Sequence, residues 1–270
     1  MTEQPEKIIV FSHANSYPAG CYRVLFDDWR AAGWTVRALP QFGHNPRFPV
    51  TSNWPHLVEE LLHFIDDDVR PQGPVALVGH SLGGLLSLMA ASQRPGLASH
   101  VLMLDSPFIS GWRTHLVRLS KVGNLGLRVP PASISMRRRN HWPTGADAAA
   151  HFRAKKMFQA WDPRVLGDYL ACGFQPDPER GGVTLAFRRE VETAIYAGLP
   201  HTLPQFARRL KVPLAVIAGA QSAEMRQGGL EATRRIAGPN FLEVPGSHLF
   251  PFEQPNQTAA TVAALLAQLR

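Results

Sequence analysis

Apolar residues along this 270-residue chain fall into two patterns: short runs bounded by Gly, Pro or polar residues, and stripes at three- and four-residue steps. The runs predict strands and the stripes predict helices. Lys7-Ile8-Ile9-Val10-Phe11 suits a central parallel strand buried on both faces. A loop of small, turn-forming residues from Ser12 to Gly20 then leads into Tyr22, Leu25, Phe26 and Trp29, the stripe of a helix ending near Gly33. Thr35 to Leu39 predicts a second strand, closed by Pro40. Leu57, Leu61, Leu62 and Ile65 predict an amphipathic helix, with Glu59, Glu60 and Asp66-Asp67-Asp68 on its wet side. Val75 to Val78 predicts a third strand, followed by a helix through Leu85, Leu86, Leu88 and Met89. Val101 to Leu104 predicts a fourth, ending in Asp105-Ser106-Pro107.

From Pro107 to about Lys211 the alternation breaks down. The pattern there predicts helices around Trp112 to Leu119, Ala146 to Phe158, Leu166 to Leu170 and Phe206, punctuated by Pro130-Pro131 and Pro176-Asp177-Pro178. An interval this long is not a loop of a compact domain, and it is too helical for disorder. Strand and helix alternation resumes with Val212 to Ala218, a helix over Ala223 to Ile236, a strand at Phe241 to Val244 and a helix over Thr258 to Leu269. The expectation is an α/β chain with a mostly parallel sheet covered by helices on both faces and a functional site at the carboxyl ends of its strands. Residues 1–106 and 212–270 would form the core, and 107–211 an inserted helical cap.

Composition adds charge to this picture. An apolar fraction of 45% supports a large core, and the net charge of +7 is unevenly placed. Residues 107–211 hold 17 Lys and Arg against 7 Asp and Glu; the remainder holds 11 against 14. Two readings of the local excess stand side by side: a solvated helical surface, or a face for an anionic group on a substrate or an acidic partner. Nucleic acid is a poor candidate, because Arg137-Arg138-Arg139 has no reading module around it. The polar, acidic opening Met1 to Lys7 lacks the layout of a secretory signal, and no segment has the apolar length to cross a membrane, so the cytoplasm is the default expectation. Cys21 and Cys172 share no close spacing and are expected as free thiols. No His or Cys cluster has metal-ligand spacing, so neither metal nor cofactor is expected; a monomer or a homodimer is.

The candidate chemistry lies in Val75-Ala76-Leu77-Val78-Gly79-His80-Ser81-Leu82-Gly83-Gly84. Strand, sharp turn and helix would hold Ser81 at a strained positive φ above the sheet, with small flanking residues letting strand and helix approach. This Gly-His-Ser-Leu-Gly-Gly wording resembles the nucleophile elbow of the α/β-hydrolase family. A serine hydroxyl needs an imidazole to take its proton, and the imidazole needs a carboxylate to fix its tautomer. The resemblance implies the chain order serine, acid, histidine. His248, within Val244-Pro245-Gly246-Ser247-His248-Leu249-Phe250-Pro251, resembles the family's histidine loop.

The acid has two candidates. The family's usual Gly-x-x-Asp wording after the cap here reads Gly219-Ala220-Gln221-Ser222, leaving Glu224 two residues on; the other family solution corresponds to Asp105, at the end of the strand after the elbow helix. Asp105 is preferred, because a strand end is better fixed than a helix start. The oxyanion hole would be formed by the amides of Leu82 and of Asn15, since His13-Ala14-Asn15 resembles the family's His-Gly-x. Pocket candidates are His13, His80, Trp112, Phe152, Phe158, Trp161 and Phe174, with His13 also read as shaping its own loop; Arg153, Lys155 and Lys156 are cations that would suit an anionic group.

The resemblance implies a serine hydrolase acting on a small carboxylic ester. Thioesters, lactones or carbon–carbon bonds are alternatives that use the same triad. A non-catalytic small-molecule-binding protein on the same fold stays open, because Ser222 stands where an Asp is usual.

Overall fold

The structure, a computed structural model, describes residues 6–269. Residues 1–5, most of the stretch read above for a leader, lie outside the described residues. Among the described residues nine strands occur in chain order: β1 Ile8–Ser12, β2 Thr35–Ala38, β3 Val75–His80, β4 Ala98–Leu104, β5 His141–Trp142, β6 Phe174–Pro176, β7 Val183–Leu185, β8 Leu214–Gly219 and β9 Phe241–Val244. Six of them form one parallel sheet in the order β2-β1-β3-β4-β8-β9. The expected mostly parallel α/β architecture is what the chain adopts.

Through the middle of the sheet, strand side chains alternate between the two faces, as a period of two requires. Ile9, Phe11, Ala76, Val78, Leu102, Leu104, Ala215 and Ile217 enter one apolar cluster, which they share with α1 (Arg23–Ala31) and residues Ala259, Val262 and Leu266 near the C-terminus. Ile8, Val10, Val75, Leu77, Val101, Met103, Leu214 and Val216 enter the other, with α2 (Pro55–Phe64) and α3 (Leu82–Gln93). Burial on both faces is why these strands read as continuous apolar runs. Helix α3 is buried from Leu82 to Ser92, which fits its unbroken run of small and apolar residues.

Between β4 and β8 the chain leaves the sheet and returns beside its starting point, since β4 and β8 pair directly. This insert contains α4 Trp112–Ser120, α5 Ala132–Arg137, α6 Gly145–Arg153, α7 Lys156–Gln159, α8 Pro163–Cys172, α9 Arg189–Ala197 and α10 Leu203–Arg209. It is not purely helical, as the sequence pattern suggested: β5, β7 and β6 form a small antiparallel sheet. Strands of two or three residues are too short to show a period. The insert also has no core of its own. Trp142, Phe152, Phe158, Trp161 and Tyr169 join the first apolar cluster, and Phe187, Val191, Ile195 and Leu203 join the second.

The remaining helices are α11 Ala223–Gly228, α12 Leu230–Ala237, α13 Phe250–Glu253 and α14 Pro255–Gln268. The single helix expected over Ala223 to Ile236 is broken at Gly229, where φ is 137° and a Cβ would lie 2.6 Å from the Phe108 carbonyl oxygen. Only glycine takes that backbone at that approach.

Candidate active site

Strands β3 and β4 are paired in register, His80 opposite Leu104, and each stops at that pair. The next residue on each, Ser81 and Asp105, adopts a positive φ, 53° and 40°. Non-glycine residues rarely take such angles, which concentrate where surrounding structure enforces them for function. The enforcement is visible. Ser81 N–H donates to the Leu104 carbonyl at 2.8 Å, and Asp105 N–H donates to the Ile217 carbonyl at 2.8 Å. A Cβ on Gly79 would lie 2.2 Å from Gly83 C, and one on Gly83 would lie 1.9 Å from Ser12 O, so both positions are closed to any larger residue. The turn thus delivers Ser81 to the carboxyl rim, at the start of α3 and against the end of β1.

Asp105 is fully buried, and its carboxylate accepts three hydrogen bonds. His248 Nδ1 donates to Oδ1 at 2.8 Å, Ser222 Oγ donates to Oδ1 at 2.6 Å, and Gly219 N–H donates to Oδ2 at 2.6 Å. Ser222 is a site residue that sequence reasoning missed. It stands where the resemblance would place an acid, and instead its hydroxyl steadies Asp105 while accepting the Met225 N–H as the N-cap of α11. The readable signal was a serine immediately before a helix.

Glu224, the alternative acid, is exposed on the first turn of α11, and the imidazole is hydrogen-bonded to Asp105. Burial opposes the charged form of His248. The hydrogen bond and charge of Asp105, with a smaller contribution from Glu224, outweigh it, so His248 titrates above the ordinary histidine value of 6.5. The loop carrying His248 is held by Glu253, which accepts from Ser247 N–H at 3.0 Å and from the Ser247 hydroxyl, and by Gln221, whose Oε1 accepts Gly246 N–H at 2.6 Å.

Nδ1 of His248 is committed to Asp105, and Nε2 has no hydrogen-bond partner among the described residues. The Ser81 hydroxyl makes no hydrogen bond to His248 or to another described residue; such contacts are often long in free enzymes and tighten on substrate binding. The residue before Ser81 does touch the His248 loop. The rings of His248 and of His80, adjacent to Ser81, have centroids 5.1 Å apart, and His80 Nε2–H donates to the His248 carbonyl at 2.9 Å.

Two of the pocket candidates are committed to structure. His80 is fully buried, its Nδ1 accepts from the Tyr22 hydroxyl at 2.8 Å, and burial with the neighbouring His248 lowers its pKa to about 3. His13 is equally buried; its Nε2 accepts Phe42 N–H at 2.9 Å, its Nδ1–H donates to the Ala14 carbonyl at 2.8 Å, and burial lowers its pKa to about 4. Neither ring keeps a nitrogen for a substrate. Tyr22, read from sequence only as part of a helical stripe, also accepts Ala14 N–H at 3.1 Å. One chain of hydrogen bonds therefore joins the loop before Asn15, the residue before Ser81 and the backbone of His248.

The other pocket candidates divide. The Phe158 and Trp161 rings lie tilted with centroids 4.4 Å apart within the apolar cluster, Trp161 also 4.7 Å from Phe252, and so serve packing; Trp112 is 64% exposed on α4. Phe152 and Phe174 pack against Tyr169 at 5.2 and 5.7 Å. Arg153, Lys155 and Lys156 are all exposed. Leu82 opens α3, where the first N–H groups have no intrahelical acceptor. Asn15 is buried in the loop after β1, its Nδ2 donating to the Glu192 carbonyl at 3.1 Å while its Oδ1 has no partner among the described residues. No group of three His, Cys, Asp or Glu side chains among the described residues could hold a metal ion, and no described helix is long and apolar enough to cross a membrane.

Comparison with known proteins places these observations in context. The model of the Alpha/beta hydrolase family matches residues 9–261. Over 151 residues the chain is 32% identical to the abhydrolase domain-containing protein AFT2-1 of Alternaria alternata, covering 52% of this chain and 49% of that protein. Over 110 residues it is 31% identical to the monoglyceride lipase of Rattus norvegicus, covering 39% and 36%. Over 175 residues it is 27% identical to phospholipase YtpA of Bacillus subtilis (strain 168), covering 61% and 67%. The chain spans about half or less of the length of the first two. Among solved structures, an E-2-(acetamidomethylene)succinate hydrolase superposes with a TM-score of 0.75 at 19% identity, covering 97% of this chain and 92% of that one. A thioesterase domain from the curacin biosynthetic pathway gives 0.75 at 17% identity, covering 96% and 91%. At these identities the two structures establish a shared fold.

Proposed function

Because the chain belongs to the alpha/beta hydrolase family, we propose that it is a serine hydrolase cleaving carboxylic esters, with Ser81 as nucleophile, His248 as base and then acid, and Asp105 as the carboxylate that orients His248. His248 Nε2 takes the Ser81 proton as Oγ attacks the ester carbonyl carbon. The amides of Leu82 and Asn15 receive the negative charge that develops on the carbonyl oxygen. His248 then returns the proton to the leaving alcohol, and water, activated by the same imidazole, releases the acid from Ser81. Residues 107–211 act as the cap over this site and supply the substrate's surroundings.

The observation that carries this reading is the 2.8 Å hydrogen bond from His248 Nδ1 to the buried Asp105 carboxylate, beside a serine held in a strained turn. The names of the lipase and phospholipase relatives support an ester as the bond cleaved. A fluorophosphonate probe tests the reading. The expected result is labelling of the native protein at Ser81, none of Ser81→Ala, and hydrolysis of p-nitrophenyl esters that the substitution lowers by on the order of 10³-fold or more. Folded native protein that neither labels nor turns over any ester would assign the fold to binding alone.

A further inference from the structure

The two cysteines, 151 positions apart in sequence, meet in space. Cys21 lies in the 3-10 turn Ala19–Tyr22 just before α1, Cys172 ends α8 in the insert, and their Sγ atoms are 3.6 Å apart. We propose that they form an oxidisable dithiol which a hydroperoxide converts into a disulfide, fastening α8 of the insert to the sheet-covering turn before α1.

Chance accounts poorly for the pairing. A buried residue touches about ten others, so two given positions in a chain of this length would meet in roughly one arrangement in twenty-five. The approach is also built by its neighbours. A Cβ at position 20 would lie 3.0 Å from Cys172 Sγ, so glycine there lets α8 come this close. One turn back on α8, Asp168 Oδ1 accepts from Arg23 Nε at 2.8 Å and ties the same two elements together. Closing to a bonded separation of about 2.05 Å asks each sulfur to move by less than an ångström.

The two thiols are unequal, which sets their roles. Cys21 is buried, and burial raises its pKa; Cys172 is partly exposed, and the hydrogen bond from Cys21 lowers its pKa against the opposing effects of burial and Asp168. Cys172 is thus the thiol that an oxidant in solution meets, and the one with more thiolate character. Its thiolate attacks the terminal oxygen of the hydroperoxide and the O–O bond breaks. The leaving alkoxide takes a proton, giving an alcohol and a sulfenic acid on Cys172. Cys21 sulfur then attacks Cys172 sulfur and gives up its proton, and the S–O bond breaks to release water. Two thiols are oxidised by two electrons and one hydroperoxide is reduced.

This pair lies outside the Ser81, His248 and Asp105 arrangement, so its test needs no substrate. The reduced full-length protein is treated under native conditions with a small molar excess of hydrogen peroxide, then examined by intact mass and by a non-reducing peptide map. The expected product is a monomer lighter by two hydrogens, in which the Cys21 peptide is joined to the Cys172 peptide. Dithiothreitol should reverse it, and Tm should rise by about 5–10 °C while the bond is closed. Cys21→Ser should stop at a dimedone-trappable sulfenic acid on Cys172, and Cys172→Ser should leave Cys21 unreacted. Two free thiols persisting after treatment, a bond formed only between separate chains, or Cys21 oxidising as readily in Cys172→Ser would overturn the proposal.

Discussion

At the carboxyl rim of the sheet, Asp105 is fully buried and accepts three hydrogen bonds, whereas on α4 of the insert Trp112, Leu116 and Leu119 are 64, 53 and 61% exposed. Those three residues fall at i, i+4 and i+7 and so form one helical stripe that no described residue buries. The charge differs as well. No Asp or Glu occurs between Asp105 and Asp147, while Arg113, Arg118, Lys121, Arg128 and Arg137 through Arg139 all do. At the rim the Asp105 carboxylate is placed by three partners, so its geometry is over-determined. On α4 few contacts hold any side chain. The proposed site has its reacting groups next to strand ends, and on that reading its chemistry can be kept while the insert varies.

The sharpest way to test that contrast is at the carboxylates. Asp105→Asn should lower turnover of a p-nitrophenyl ester by on the order of 10³–10⁴-fold, because the imidazole then loses its tautomer control. Glu224→Gln, which removes an exposed charge with no direct hydrogen bond to the ring, should cost less than about five-fold. The reverse order would move the acid from the rim to α11.

The pH profile sharpens the same point. The proposed mechanism requires neutral His248, whose pKa Asp105 holds above 6.5, so kcat/KM for an ester should fall on the acid side with a midpoint above that value. In the residual activity of Asp105→Asn the midpoint should move downward, since burial then acts with less opposition. His80 and His13, with pKa values of about 3 and about 4, stay neutral across this range and should add no inflection.

A smaller effect is expected one layer out. Tyr22→Phe leaves His80 Nδ1 and Ala14 N–H without their partner, and a buried unpaired group costs about 1–3 kcal/mol, so Tm should fall by several degrees and kcat by about ten-fold with little change in KM. The smallest belongs to the insert. Replacing Trp112 and Leu116 together by Gln should leave Tm within about 2 °C and the hydrolysis of a small soluble ester unchanged, because neither side chain is buried. A large loss in that variant would mean that α4 is as tightly placed as the rim.

What the amino-acid order determined by itself was the local architecture. The six strands of the parallel sheet, the serine turn and the histidine loop all follow from short-range rules: alternation buried on two faces, and glycines where strand and helix approach within the radius of a methyl group. The tertiary structure alone decided which carboxylate meets His248, that Ser222 holds that carboxylate, that Tyr22 and His80 connect the loops, and that Cys21 faces Cys172. These partners stand 143, 117, 58 and 151 positions apart. A spacing of that kind leaves no period in the chain, because it is set by the order in which strands assemble and not by the sterics of neighbouring residues. Only when β4, β8 and β9 lie side by side do the segments after their ends bring Asp105, Ser222 and His248 within reach of one another.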